Sequence, residues 1–142
     1  MYISDAKRLT TEGARKIKNA AVRAAEKAGI PITVAVVDAG GHLLVLERMD
    51  GGKFHSVHSA TTKAVCAASN KRNTGSTGAV GQSLDMLHAL GLALAAGPER
   101  WTAMEGGCPI MAGSECIGGV GVAGGNWEFD EKVAREAAEA IK

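Results

Sequence analysis

His55 and His58 stand three residues apart, a spacing that puts both imidazoles on one face of a helix. A metal ion could use the pair, with His42 or Glu47 added. The sequence holds no cysteine pair at zinc spacing and no HExxH, so two surface histidines at a helix start remain the plainer alternative. A haem iron asks for less. One His, Met, Cys or Tyr facing a pocket is enough for an axial bond, and His55, His58 and Met49 meet that criterion. Asp38 ends an apolar run and precedes Ala39, Gly40 and Gly41. Its expected role is an Asx turn, with the carboxylate accepting from the glycine amides, rather than general-base chemistry. Gly119-x-Gly121-x-x-Gly124 fits the dinucleotide pattern, but that fingerprint belongs to a βαβ unit and no second strand follows. Close packing of a strand and a helix explains these glycines. The amides at Gly124–Trp127 stay open as a site for a carboxylate or phosphate. GxSxG, SxxK and GK[ST] are absent, so no catalytic set emerges and enzymatic activity is left open.

These side chains need elements to hold them. Ala6, Leu9, Gly13, Ile17, Ala20, Ala24 and Ala28 recur at helical steps, with Gly29 and Pro31 as the stop. Ile32–Val37 is a β-branched run whose continuous apolarity predicts an interior strand covered on both faces. After the turn at Asp38–Gly41, residues 42–49 form its antiparallel hairpin partner. Phe54, Val57, Thr61, Ala64, Val65 and Ala68 return to helical spacing, on a helix that carries His55, His58 and Lys63. A loop rich in Asn, Thr, Ser and Gly follows over residues 70–82, then a short helix over 84–94 broken at Gly97-Pro98. Residues 101–105 are predicted as a further strand. Pro109–Met111 and Cys116–Val122 form a second hairpin. Asn126 caps the closing helix, with Glu128, Asp130 and Glu131 placing acid in its first turn. The expected fold class is α+β, an antiparallel sheet of about five strands with helices packed on it, and residues 1–142 are expected to form one domain. The two hairpins are expected to leave room for a guest molecule at their glycine corners.

Composition narrows the partners. Sixteen basic residues balance fifteen acidic ones for a net charge of +1, and aromatics make up 4% of the chain. Neither nucleic acid nor an anionic membrane is therefore expected as a partner. The stretch from Met86 to Pro98 is the longest uncharged apolar-rich run, and it falls short of the ~18 residues a membrane span requires. There is no secretory signal in the first residues, and Cys66, Cys108 and Cys116 form no CxxC pair. Reduced thiols, a cytoplasmic location and core packing of the cysteines are the expectation.

VAVVDAGGHLLVLERMDG, residues 34–51, resembles the GlcG-like, haem-binding HbpS family, whose domain also forms the C-terminal part of PduO-type corrinoid adenosyltransferases. Ser59-Ala60 with Lys63-Ala64, Thr74, Gly106-Gly107-x-Pro109-Ile110, the run IGGVGVAGG ending at Gly125, and Asp130 extend the resemblance over almost the whole chain. The resemblance implies a profilin-like fold, assembly into homo-oligomers and, for some members, binding of haem or a related tetrapyrrole. Members often accompany diol, glycerol or glycolate pathways. In the haem-sensing branch a threonine after the KA helix is linked to iron, and Thr74 matches it. A small-ligand site is therefore expected among Asp38, Arg48, Met49, Lys63, Thr74, Gly106, Gly107 and Pro109, with His55 and His58 as metal candidates. Three functions follow. One is an oligomeric tetrapyrrole-binding protein in an accessory or sensory role. Another is a corrinoid-handling accessory or an enzyme acting on a small hydroxy- or oxo-compound, with Arg48 pairing a carboxylate. The last is a self-assembling interaction protein that uses its alanine-rich first helix.

Overall fold

In a computed structural model that describes residues 1–78 and 80–142, the elements run α1 (Thr11–Ala28), β1 (Thr33–Asp38), β2 (Leu43–Arg48), α2 (Ser56–Asn70), α3 (Met86–Ala96), β3 (Gly107–Ala112), β4 (Glu115–Ala123) and α4 (Trp127–Ala138). The loop predicted over residues 70–82 therefore has one position, Ala79, outside the described residues. The four strands form one antiparallel sheet in the order β2-β1-β4-β3. Both predicted hairpins are present, and the two strands that close them, β1 and β4, pair at the centre.

The central position explains why β1 is apolar throughout. Val34 and Val36 point into a core shared with α1 and α4, while Ala35 and Val37 point into a second core beneath α2. Alternate residues of a strand face opposite sides, so a strand covered twice has no polar face to show. Thr10 caps α1 by accepting from the Gly13 amide at 3.0 Å, and Gly29 closes it at φ 71°, where a side chain would be strained. The buried face of α1 is Ala14, Ile17, Ala21 and Ala25. Apart from Ile17, which both share, that face lies one position along from the predicted Gly13, Ala20 and Ala24. The alanines of the predicted stripe, Ala20, Ala24 and Ala28, are half-buried or exposed, so the protomer's own core leaves part of the face expected for self-assembly uncovered. Phe54, expected at the head of the α2 stripe, lies outside the helix and is exposed.

The sheet has four strands rather than about five, because residues 101–105 do not pair. The Thr102 carbonyl accepts from the Cys66 thiol at 3.6 Å, and the Thr102 hydroxyl accepts from the Met104 amide at 3.1 Å. The segment runs across α2 instead, meeting it at Cys66.

The glycines of β4 serve packing. Gly119 and Gly121 share one face, against which the alanine ridge Ala60, Ala64 and Ala68 of α2 lies. A Cβ on Gly121 would stand 2.6 Å from the Ala64 amide nitrogen, and one on Gly119 would stand 3.0 Å from that of Ala68. A Cβ at the turn glycine Gly113 would meet nothing within 4 Å, whereas Gly119 and Gly121 lie within β4 rather than at a hairpin turn, and helix backbone fills their space. Gly106 and Gly107 are closed in the same way, by the Lys63 Nζ and the Thr74 Cγ2. At the β4–α4 junction the Gly125 amide donates to Asp130 Oδ1 at 2.9 Å and the Phe129 amide to Asn126 Oδ1 at 2.8 Å. The Gly125 amide, one of those at Gly124–Trp127 expected to be open to an anion, is thus satisfied from within the chain.

Candidate functional site

The recess with the most apolar lining lies beside α2, not at the hairpin corners. It is a cleft of about 530 Å³. One wall is the N-terminal half of α2, where His58, Ser59, Thr62 and Lys63 share a face at i, i+1, i+4 and i+5. The opposite wall is α3, contributing Met86, Ala89, Leu90 and Ala93, and residues 98–104 complete it with Trp101 and Met104. The helical positions follow from the alanine ridge: packing Ala60, Ala64 and Ala68 on the sheet turns His58 and Thr62 away from it.

His58 is exposed at the edge of this cleft, with thioethers and apolar side chains opposite. Lys63 stands at its inner end, almost fully buried. Its Nζ donates to the Val122 carbonyl at 2.8 Å and to Asp130 Oδ2 at 3.3 Å. Burial pushes the Lys63 ammonium below the ordinary lysine value, against the pull of Asp130 and Glu105. Burial likewise pushes the Asp130 carboxyl above its ordinary value, against Lys63 and the Gly125 amide. Loss of water outweighs the pairing on both sides, as for most buried ion pairs. What the pair supplies is position: it ties α2 to the end of β4 and the first turn of α4.

Thr74 lies behind this pair. Its hydroxyl accepts from the Gly107 amide at 2.9 Å, its own amide donates to the Gly107 carbonyl at 3.0 Å, and the Gly106 carbonyl accepts from Val122 at 2.8 Å. Lys63, Thr74, Gly106 and Gly107, far apart in sequence, are therefore brought together. Pro109 is further along β3, opposite Gly119.

The remaining predicted residues are elsewhere. Asp38 makes the expected Asx turn, Oδ1 accepting from the amides of Gly40 at 2.9 Å and His42 at 3.0 Å. Partial burial raises its carboxyl, but these amide bonds outweigh it and hold the group below the ordinary aspartate value. Arg48 is opposite Thr33, at the other end of the hairpin from Asp38, with Nη1 donating to the Gly52 carbonyl at 3.5 Å. Met49 is half-buried, its sulfur accepting from the Ile32 amide at 3.5 Å. His55 stands just before α2 with its ring edge-on to Phe54, outside the cleft lining. Among the described residues no three His, Cys, Asp or Glu side chains come together as metal ligands.

Sequence reasoning passed over Met86, Leu90, Trp101 and Met104. The signal was there, in the uncharged run from Met86 onward: a helix apolar on every side must face something besides solvent.

The fold and cleft define a class first: a small antiparallel α+β domain with a ligand-sized apolar recess between its covering helices. The sequence pattern of the family described as "Haem degrading protein HbpS-like" matches residues 9–139, and the chain belongs to that HbpS-like family. The crystal structure of Klebsiella pneumoniae protein ORFY superposes with a TM-score of 0.85 at 31% identity, covering 99% of this chain and 96% of that one. Protein GlcG of Escherichia coli K12 is 33% identical over 114 residues, 80% of each chain. A crystal structure of PduOC in complex with haem matches with a TM-score of 0.84 at 29% identity, over 96% of each chain. No described helix is long and apolar enough to cross a membrane.

Proposed function

We propose that this protein binds haem or a related tetrapyrrole in the cleft between α2, α3 and residues 98–104, where His58 would hold the iron. The observation that carries this is the donor set: one exposed imidazole, with Met86 and Met104 as thioethers, in an otherwise largely apolar lining of ligand size. The similar PduOC structure holds haem, which supports the same ligand class here. Bound haem would supply redox chemistry or ligand sensing through its iron. The chain supplies the imidazole, an apolar wall that excludes water from the macrocycle, and a fixed cation at the inner end. The accompanying role is accessory or sensory, beside diol, glycerol or glycolate metabolism, in a cytoplasmic assembly of like subunits.

Thr74, the residue that the family resemblance links to iron, is 5% exposed and its hydroxyl already accepts from the Gly107 amide. Its role in this reading is to hold β3. Haemin titration of the purified protein is expected to give a saturable Soret shift. His58→Ala should abolish or displace that band, and Thr74→Ala should lower stability while leaving the band in place. No shift with the wild-type protein, or a band lost only in Thr74→Ala, would overturn the assignment.

A further inference from the structure

A second recess, of about 560 Å³, lies where the loop after α2 meets the segment leading into β3, and it shares no lining residue with the apolar cleft. Its character is the opposite. Arg72, Asn73, Ser76 and Thr77 line it from the loop, Glu105 from the segment before β3, and Glu131 from α4. Thr74 brings these stretches together. Its two bonds to Gly107 pin the loop to the start of β3, two residues beyond Glu105. Further on the loop closes upon itself: the Leu84 amide donates to the Ser76 carbonyl at 2.7 Å, and Thr77 bridges Ser83. The backbone around Ser76 and Thr77 is thus held from within, while both side chains stay exposed.

The charges are the informative part. Arg72 and Glu105 are both half-buried and line the same recess, yet among the described residues neither is in an ion pair. The guanidinium is held in place, because Arg72 Nη1 donates to the Gly78 carbonyl, and its other N–H groups are not used in that bond. Glu131 is engaged by Arg135 through one oxygen only, at 3.5 Å. Opposite charges that share a recess without meeting leave a gap with a positive side and a negative side. A phosphate would face two carboxylates there, and a bare metal ion would face the guanidinium. A small zwitterion suits both sides: its carboxylate matches the planar fork of an arginine, and its ammonium matches the carboxylates.

We propose that this recess binds a free α-amino acid, with Arg72 taking the carboxylate and Glu105, seconded by Glu131, taking the ammonium. Asn73, Ser76 and Thr77 offer donors and acceptors for the rest of the molecule. Recognition rests on both charges at once, so a compound that carries only one of them leaves a partner in the recess without its counterpart. The site is distinct from the tetrapyrrole cleft and requires no metal.

Free glycine, an ammonium and a carboxylate on one carbon and nothing more, is the probe. Amide-resolved NMR of the full chain without haemin is expected to show saturable shifts at Ser76, Thr77 and Glu105, with the roughly millimolar affinity of so small a ligand. Acetate and methylamine each carry one of the two charges and should bind at least about tenfold more weakly. Arg72→Gln should abolish the preference for glycine over methylamine, and Glu105→Gln the preference over acetate. A general loosening of the loop would not give this crossed pattern. Glu105→Gln keeps the shape of the side chain and breaks no ion pair, so it decides alone if Arg72→Gln fails to fold. No shift at these amides with glycine at about 100 mM would overturn the proposal. So would acetate or methylamine matching glycine, or a Glu105→Gln variant with undiminished preference over acetate. The titration contains no haemin, so its failure and a missing Soret shift are separate results.

Discussion

Gly121→Ala is the sharpest probe of how α2 is held, and therefore of how His58 and Lys63 are aimed. Gly121 lies under Ala60 and Ala64, directly beneath the turn that carries Ser59, Thr62 and Lys63 into the cleft. The new methyl would stand 2.6 Å from the Ala64 nitrogen, with the Ala60 carbonyl nearer still, where ordinary contact begins at 3.4 Å. The obstruction is backbone on both sides, so no side chain can swing away; α2 must retreat by roughly 1.5 Å or the strand must bend. Overpacking of a tight core costs about 1–3 kcal/mol even where side chains can adjust, so a loss near or above the top of that range is expected. For a chain of this size that corresponds to a fall of about 10 °C in Tm. Urea unfolding followed by circular dichroism reads the stability, and haemin titration reads the cleft, which should weaken in parallel. Gly75→Ala is the control: a Cβ there meets nothing within 4 Å, and its effect should be within about 0.5 kcal/mol of zero or slightly stabilising. If Gly121→Ala matches the wild type in both measurements, close glycine–alanine contact does not position α2.

Asp130→Asn strands the buried Lys63 ammonium and should cost about 3–5 kcal/mol in urea unfolding, whereas Lys63→Met, which leaves Asp130 its Gly125 amide, should cost less. Lys63 gives up its proton more readily folded than unfolded, so its own contribution rises with pH between its lowered folded value and 10.5, and Lys63→Met should flatten the alkaline limb of the stability profile. Asp130 works in the opposite sense, since the folded chain keeps its proton above pH 3.8 and stability falls as pH rises from there through the raised value. Asp38→Ala removes an acceptor for two amides and should cost about 1 kcal/mol near neutral pH. The depressed Asp38 value means that this contribution disappears as pH falls below 3.8 through the folded value, so wild type and variant should converge in acid. Burial, with Glu139 adding to it, pushes the Cys108 thiol up to about 11, so iodoacetamide at pH 8 should label half-buried Cys116 first and leave Cys108 intact, as read by mass spectrometry. Equal labelling of the two would contradict the burial of Cys108.

Local rules wrote much of this molecule legibly into the sequence. The β-branched run before Asp38, the Asp-x-Gly-Gly turn, the glycine stop of α1 and the Asn126 cap each depend on neighbours a few residues away, and each is where its residues predict. What depends on distant partners was decided only by the tertiary structure. The rotation of α1 was set by which residue meets the sheet, and residues 101–105 lie across α2, with Thr102 against Cys66 far back in the chain, instead of pairing in the sheet. The β4 glycines read equally well as room for a guest or as room for a helix, since an absent side chain says nothing about what occupies its place. The ridge Ala60–Ala64–Ala68 fills it, which turns His58 and Thr62 outward to meet an apolar helix thirty residues further on.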